Sequence, residues 1–185
     1  MKHPPSQGDL SSRLGTDHAL LGHARLRRVG RWRFPVYELV SDDGVVALLG
    51  RMGWLRIFLR RGVRVELNDG ARWRIRATTI AGFICPLIVD TAGGKIAVAS
   101  GGTGVYRISG RDFGYSLNPG HHRWRASARW TLRHHETDVG VVGRRPLVFD
   151  ASEPVHIGAV LLSFVLIRYG VPDDARPGLP TFRWR

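Results

Sequence analysis

Arg72, Arg74 and Arg76 alternate with Trp73 and Ile75, while Arg123, Arg125, Arg129 and Arg133 alternate in the same sense with Trp124, Ala126, Ala128, Trp130 and Leu132. Guanidinium groups grip phosphate oxygens through paired parallel hydrogen bonds, so these two rows are candidate contacts for an anionic ligand. Alternation with a period of two puts the arginines on one face of a strand and the indoles on the other. A platform that stacks single-stranded bases needs cations and rings on the same face. The pattern therefore describes a basic wall over an aromatic core, which suits an anionic lipid surface and equally suits a merely solvated wall.

Other chemistries find less support. The pairs His121-His122 and His134-His135 suggest metal ligands, but one strand between them would hold them roughly 40 Å apart, and neighbours within a pair point to opposite faces. Gly93-Gly94-Lys95 and Gly101-Gly102-Thr103-Gly104 superficially suggest phosphate loops. Val89 stands where the opening glycine should be and Ile96 where Ser or Thr should follow the lysine, so both runs read as turns. Ser109, Ser116 and Ser127 lack a nucleophile-elbow context. Cys85, the only cysteine, lies within the apolar run Phe83–Val89 and reads as a small buried hydrophobe. The expectation is a protein without catalytic residues, metal or cofactor.

These rows need strands to carry them, and the chain supplies strand signals from Phe34 to Asp150. Hairpins are marked by Ser41-Asp42-Asp43-Gly44, Asn68-Asp69-Gly70 and Ala92-Gly93-Gly94, each between apolar runs. Further strands are predicted at Trp54–Arg60, Val105–Ser109, Phe113–Asn118, His122–Arg133, Val139–Arg144 and Leu147–Asp150, about a dozen in all. After them comes Val155–Tyr169, apolar on every side of a helix, which must be enclosed by protein or lipid. About 15 residues rise only ~22 Å, short of the ~30 Å hydrocarbon core, so enclosure by protein is expected and no transmembrane segment.

The predicted fold is thus mainly β, a closed antiparallel meander barrel of about twelve strands around one buried C-terminal helix at about 154–169. Asp150, Ser152 and Glu153 would cap that helix, Pro154 would occupy its first turn, and Gly170 with Pro172 would end it. His156 and Arg168, the polar exceptions, sit near its ends, and read as mouth residues or as a ligand-contacting pair in a partly open barrel. Residues 1–16, rich in Pro, Ser and Gly, are expected to form a disordered tail. Residues 17–33 allow a short basic helix, capped by Thr16 or Asp17, and a lead-in to the domain at 34–185.

Composition bounds the partners. The chain has 185 residues, 43% of them hydrophobic, enough for one core. Its 28 basic against 15 acidic residues give a net charge of +13, a positive field attractive to phosphates of lipid or nucleic acid. Nearly all the basic residues are arginine, which a GC-rich genome also favours. The first residues lack the apolar core of a secretory signal, so a cytoplasmic location is expected.

Tyr37-Glu38-Leu39-Val40-Ser41-Asp42-Asp43-Gly44, Asp90-Thr91-Ala92-Gly93-Gly94-Lys95-Ile96-Ala97 and Phe149-Asp150 leading into the helix, with the order of elements over residues 34–170, resemble the tubby C-terminal-like barrels. That superfamily includes the LURP-one-related proteins and the phospholipid scramblases. The resemblance implies a strand meander around one apolar helix, and phosphoinositide binding as in tubby-type members. The extended Pro-rich N-terminal region and metal-binding features of scramblases have no counterpart here. The resulting reading is a non-enzymatic barrel that binds anionic membrane lipid or a phosphorylated ligand peripherally through its Arg face. The alternatives are a nucleic-acid-binding barrel using that face, and a small-ligand carrier or enzyme with a pocket at a barrel mouth.

Overall fold

The computed structural model describes residues 18–29, 36–50, 62–80, 83–101, 105–120 and 129–169. Within them the chain forms β1 (Ala19–Val29), β2 (Val36–Ser41), β3 (Gly44–Leu49), β4 (Val63–Leu67), β5 (Arg72–Ile80) and β6 (Phe83–Asp90). Then follow β7 (Lys95–Gly101), β8 (Tyr106–Gly110), β9 (Gly114–Pro119), β10 (Arg129–His134), β11 (Thr137–Gly143), β12 (Val148–His156) and a single helix, α1 (Ile157–Tyr169). Every strand pairs antiparallel with its sequence neighbours, and β1 pairs with β12, so the meander closes into a twelve-strand barrel. Closure removes the unpaired edges that an open sheet of this length would expose.

The lumen is filled by α1. Its residues from Ile157 to Ile167 are all buried, in contact chiefly with β6, β7, β8 and β12. Thirteen residues rise about 20 Å, close to the ~23 Å of a seven-residue strand, so the helix is about as long as the wall is high. Inward strand positions complete the core: Val63, Val65 and Leu67 on β4, Trp73 and Ile75 on β5, Trp130 and Leu132 on β10. Ser163, the one buried polar side chain among the described residues, donates a hydrogen bond from Oγ to the Ala159 carbonyl at 2.8 Å. Apolar lumen and charged exterior are the reverse of a barrel that spans lipid, which needs an apolar band outside. Among the described residues no helix is long and apolar enough to cross a membrane.

The turns at one end of the barrel, the upper end, are tight. In the β6–β7 turn the Asp90 carbonyl accepts a hydrogen bond from the Gly93 N–H at 3.2 Å, and Asp90 Oδ1 accepts one from the Gly94 N–H at 2.8 Å. Gly93 has φ +88°, a conformation that side-chain-bearing residues avoid. No helix follows this run, as its reading as a turn requires.

Several expectations are corrected. Residues 19–29 form a strand rather than a helix. Leu20, Gly22, Ala24 and Leu26 occupy one parity, but Gly22 and Ala24 carry too little hydrophobic signal to reveal it. A register shift between Leu20 and Gly22 further blurs the period. The strand forms because β2 and β12 would otherwise each be left with an open edge.

The helix begins at Ile157, not near 154, because β12 stays paired with β1 as far as His156 opposite Ala19. Asp150, Ser152, Glu153 and Pro154 are therefore strand residues and cap nothing. Instead Asp150 Oδ1 lies 2.6 Å from His23 Nδ1, and Ser152 Oγ donates to the Asp138 carbonyl at 3.2 Å. β3 pairs directly with β4, so no strand stands between them in the ring, and Trp54–Arg60 lies outside the described residues. Also outside them are residues 1–16 with the proposed cap at Thr16 or Asp17, the His121-His122 pair, most of the Gly101–Gly104 run, and Gly170 with Pro172. The strand expected at His122–Arg133 is described only as β10, Arg129–His134.

Candidate functional site: an arginine groove on the outer wall

On β4 and β5 the alternation sorts side chains as its parity predicts. Trp73 and Ile75 are buried, Arg72 and Arg76 are exposed and Arg74 is half-buried, while Arg64 and Glu66 face outward from β4. Register places Arg64 directly opposite Arg74 and Glu66 opposite Arg72. Arg64, Arg72, Arg74 and Arg76 converge on a groove of about 650 Å³ that the apolar side chains Val36 and Leu48 also line. Two carboxylates, Glu66 and Asp90, line it as well, and Glu66 lies 3.5 Å from Arg72 across two well-exposed side chains. An exposed pair of that length is worth at most about 1 kcal/mol.

Like charges directly opposite on neighbouring strands destabilise a sheet. No carboxylate among the described residues forms an ion pair with Arg64 or Arg74. The pair thus leaves positive charge unspent in a concave, partly apolar place. In such a groove phosphate oxygens can accept hydrogen bonds from more than one guanidinium group.

Of the sequence-predicted arginines, the fold gathers Arg72, Arg74 and Arg76 into this groove. Arg129 and Arg133 lie across the ring on β10, exposed, with Trp130 and Leu132 facing the core. Arg133 Nε donates a hydrogen bond to Asp138 Oδ1 of β11. Arg123 and Arg125 fall outside the described residues. Arg64 was missed, although Val63-Arg64-Val65-Glu66-Leu67 carries the same alternation; its weight comes only from its partner in register.

The second polar cluster is at the upper end, where α1 begins. The His156 imidazole is stacked between Phe113, at 4.3 Å between ring centroids, and Trp73, at 6.0 Å. Its Nδ1 accepts a hydrogen bond from the Gly158 N–H at 3.0 Å, so the ring caps the helix in the role expected of the upstream acids. That acceptor must be unprotonated. Burial pushes the imidazole pKa down to about 4, His18 adds to the fall and Asp112 opposes it. The neighbouring Tyr115 phenol is pushed up by burial, against a hydrogen bond to the His156 backbone and with Glu153 adding to the rise.

His156 also borders a hollow of about 220 Å³ with Lys95, Arg111 and Asp112, smaller than the roughly 300–1,000 Å³ of small-molecule sites. The rings of Trp73, His156 and Phe113 pack together at this mouth. At the lower end, Arg168 in the last turn of α1 donates to the Tyr37 hydroxyl at 3.1 Å, where a cation also suits the helix dipole. His156 and Arg168 thus stand at opposite ends of one helix and do not form a common site. Among the described residues no group of three or more His, Cys, Asp or Glu side chains could hold a metal ion. Cys85 is buried.

No family model, curated protein or solved structure matches this chain. Its class rests on architecture alone: a closed antiparallel twelve-strand barrel around one internal helix, the general form of tubby-like and scramblase-like barrels.

Proposed function

We propose that this chain is a non-enzymatic member of the tubby-like barrels that associates peripherally with anionic phosphate groups, on a membrane lipid or a phosphorylated ligand, through its outward arginines. The observation that carries this reading is the convergence of Arg64, Arg72, Arg74 and Arg76 on one groove beside exposed Val36 and Leu48. Apolar side chains next to cations are what an interfacial surface uses, because one inserts while the other meets headgroup phosphates. Trp73, buried on the inner face of the same strand, offers no outward ring for a base to stack on, which disfavours single-stranded nucleic acid as the ligand.

Flotation with vesicles of phosphatidylcholine, with and without phosphatidylserine, at low and moderate salt tests the proposal. Salt-sensitive binding to the anionic vesicles alone is expected, strengthened several-fold by Glu66→Gln, which removes the carboxylate paired with Arg72. Equal binding to both vesicle types overturns it, as does a gel shift of a DNA duplex without vesicle binding.

A further inference from the structure

The charged residues of the barrel are sorted along its axis. Strands run alternately up and down, so the turns β2–β3, β4–β5, β6–β7, β8–β9 and β10–β11 all lie at the upper end, with the start of α1. Each carries acid: Asp42, Asp69, Asp90, Asp112 and Glu136, joined by Glu153 near the end of β12. Basic residues toward that end are offset. Arg72 pairs with Glu66 and Arg133 with Asp138, while Lys95 and Arg111 stand beside the turns of Asp90 and Asp112.

The lower end is the reverse. Arg28 near the end of β1, Arg64 and Arg107 at the second positions of β4 and β8, Arg76 on β5 beyond the start of β4, Arg129 opening β10 and Arg145 in the β11–β12 turn are all exposed. Among the described residues no carboxylate forms an ion pair with Arg64, Arg76, Arg107, Arg129 or Arg145. The acids in this half, Glu38 and Asp150, lie 2.6 Å from Arg27 and His23 respectively. These arginines are spread round the ring, so they form a rim rather than a flank.

Apolar exposure follows the same axis. Val36 opens β2, Leu48 is next to last in β3 and Val105 precedes β8, which puts all three at the lower end, 37%, 42% and 47% exposed. Leu21 and Val45, at 59% and 42%, are the exposed large apolar side chains toward the upper end.

We infer that the barrel docks end-on, its lower rim against an anionic phospholipid bilayer and its acidic upper end turned to water. The inference rests on the anion-binding reading above and adds an orientation. A flank contact would engage the β4–β5 groove alone. A rim contact also engages arginines across the ring, and repulsion between the acidic turns and the bilayer forbids the inverted pose.

The test uses the full chain and phosphatidylserine-containing vesicles. Arg107→Ser/Arg129→Ser lies well away from the groove, and a rim contact predicts a loss of affinity of roughly fivefold per arginine, about 30-fold for the pair. Arg64→Ser/Arg76→Ser should lose a comparable amount; matched thermal unfolding shows that each variant is folded. In a Cys85→Ala background, an environment-sensitive dye on Val105→Cys should brighten on binding and be quenched by nitroxide lipids, while one on Ala92→Cys in the upper β6–β7 turn should not change. If the unaltered chain fails to bind, the membrane-lipid form of the anion-binding reading falls and this inference with it. If it binds but Arg107→Ser/Arg129→Ser is indifferent, or both dyes respond alike, only the orientation is overturned.

Discussion

Lowering the pH from neutrality to about 4 should loosen the barrel through His156. The folded imidazole takes up its proton only near pH 4, against 6.5 for the unfolded group. Between those values the unfolded chain binds a proton that the folded chain does not, so stability falls as the pH falls through that window. Above about 6.5 the contribution is complete; below about 4 this group loses nothing more. A gap of about 2.5 in pKa at ~1.36 kcal/mol each comes to roughly 3 kcal/mol, an upper figure because the ring keeps partial contact with water.

The structural origin is specific. A protonated Nδ1 cannot accept the Gly158 N–H, and the charge would sit between Phe113 and Trp73 with His18 close by, relieved in part by Asp112. His156→Asn keeps a capping oxygen and His156→Phe keeps a stacked ring, yet neither can titrate. Urea unfolding across a pH series should therefore show both variants losing less stability than the parent between pH 6.5 and about 4, by up to roughly 3 kcal/mol. Acidic pairs such as His23–Asp150 and Arg27–Glu38 are present in all three proteins and cancel in the difference. Parallel loss in parent and variants refutes the reasoning, as does an imidazole proton resonance for His156 that titrates near 6.5.

Two further substitutions probe the core. Phe164→Ala removes a buried ring from the middle of α1, where the surrounding wall cannot collapse, and should cost about 3–5 kcal/mol in urea unfolding. Gly140→Ala would place a Cβ 2.7 Å from Phe149 Cζ and 3.1 Å from the Asp150 carbonyl oxygen. Phe149 is fully buried and cannot give way, so a cost of roughly 1–3 kcal/mol is expected; Gly114→Ala, with nothing within 4 Å of the added carbon, should be close to neutral.

The alternation in β5 and β10, the hairpin turns and the all-round apolar helix could be read directly because each is a local pattern with strong residues at the deciding positions. β1 was hidden because Gly22 and Ala24 occupy its inward positions, so its strand character depends on partners in β2 and β12 distant in sequence. The helix start was misplaced for a related reason. Acid and proline upstream of an apolar run are good capping signals, but pairing with β1 holds those residues in a strand, and the cap passes to His156.

The sequence by itself determined that this chain would have a basic outer wall, an aromatic inner face and a helix needing enclosure, since parity and hydropathy alone decide which way a side chain must turn. Only the tertiary structure decided which arginines meet. Arg64 reaches Arg74 through strand register, Arg72 and Arg76 join them from alternate positions of one strand, and Arg129 and Arg133 are carried across the ring by closure. The sorting of acidic turns to one end and arginines to the other likewise arises because a meander sends alternate turns to opposite mouths, a consequence of antiparallel pairing that no local pattern records.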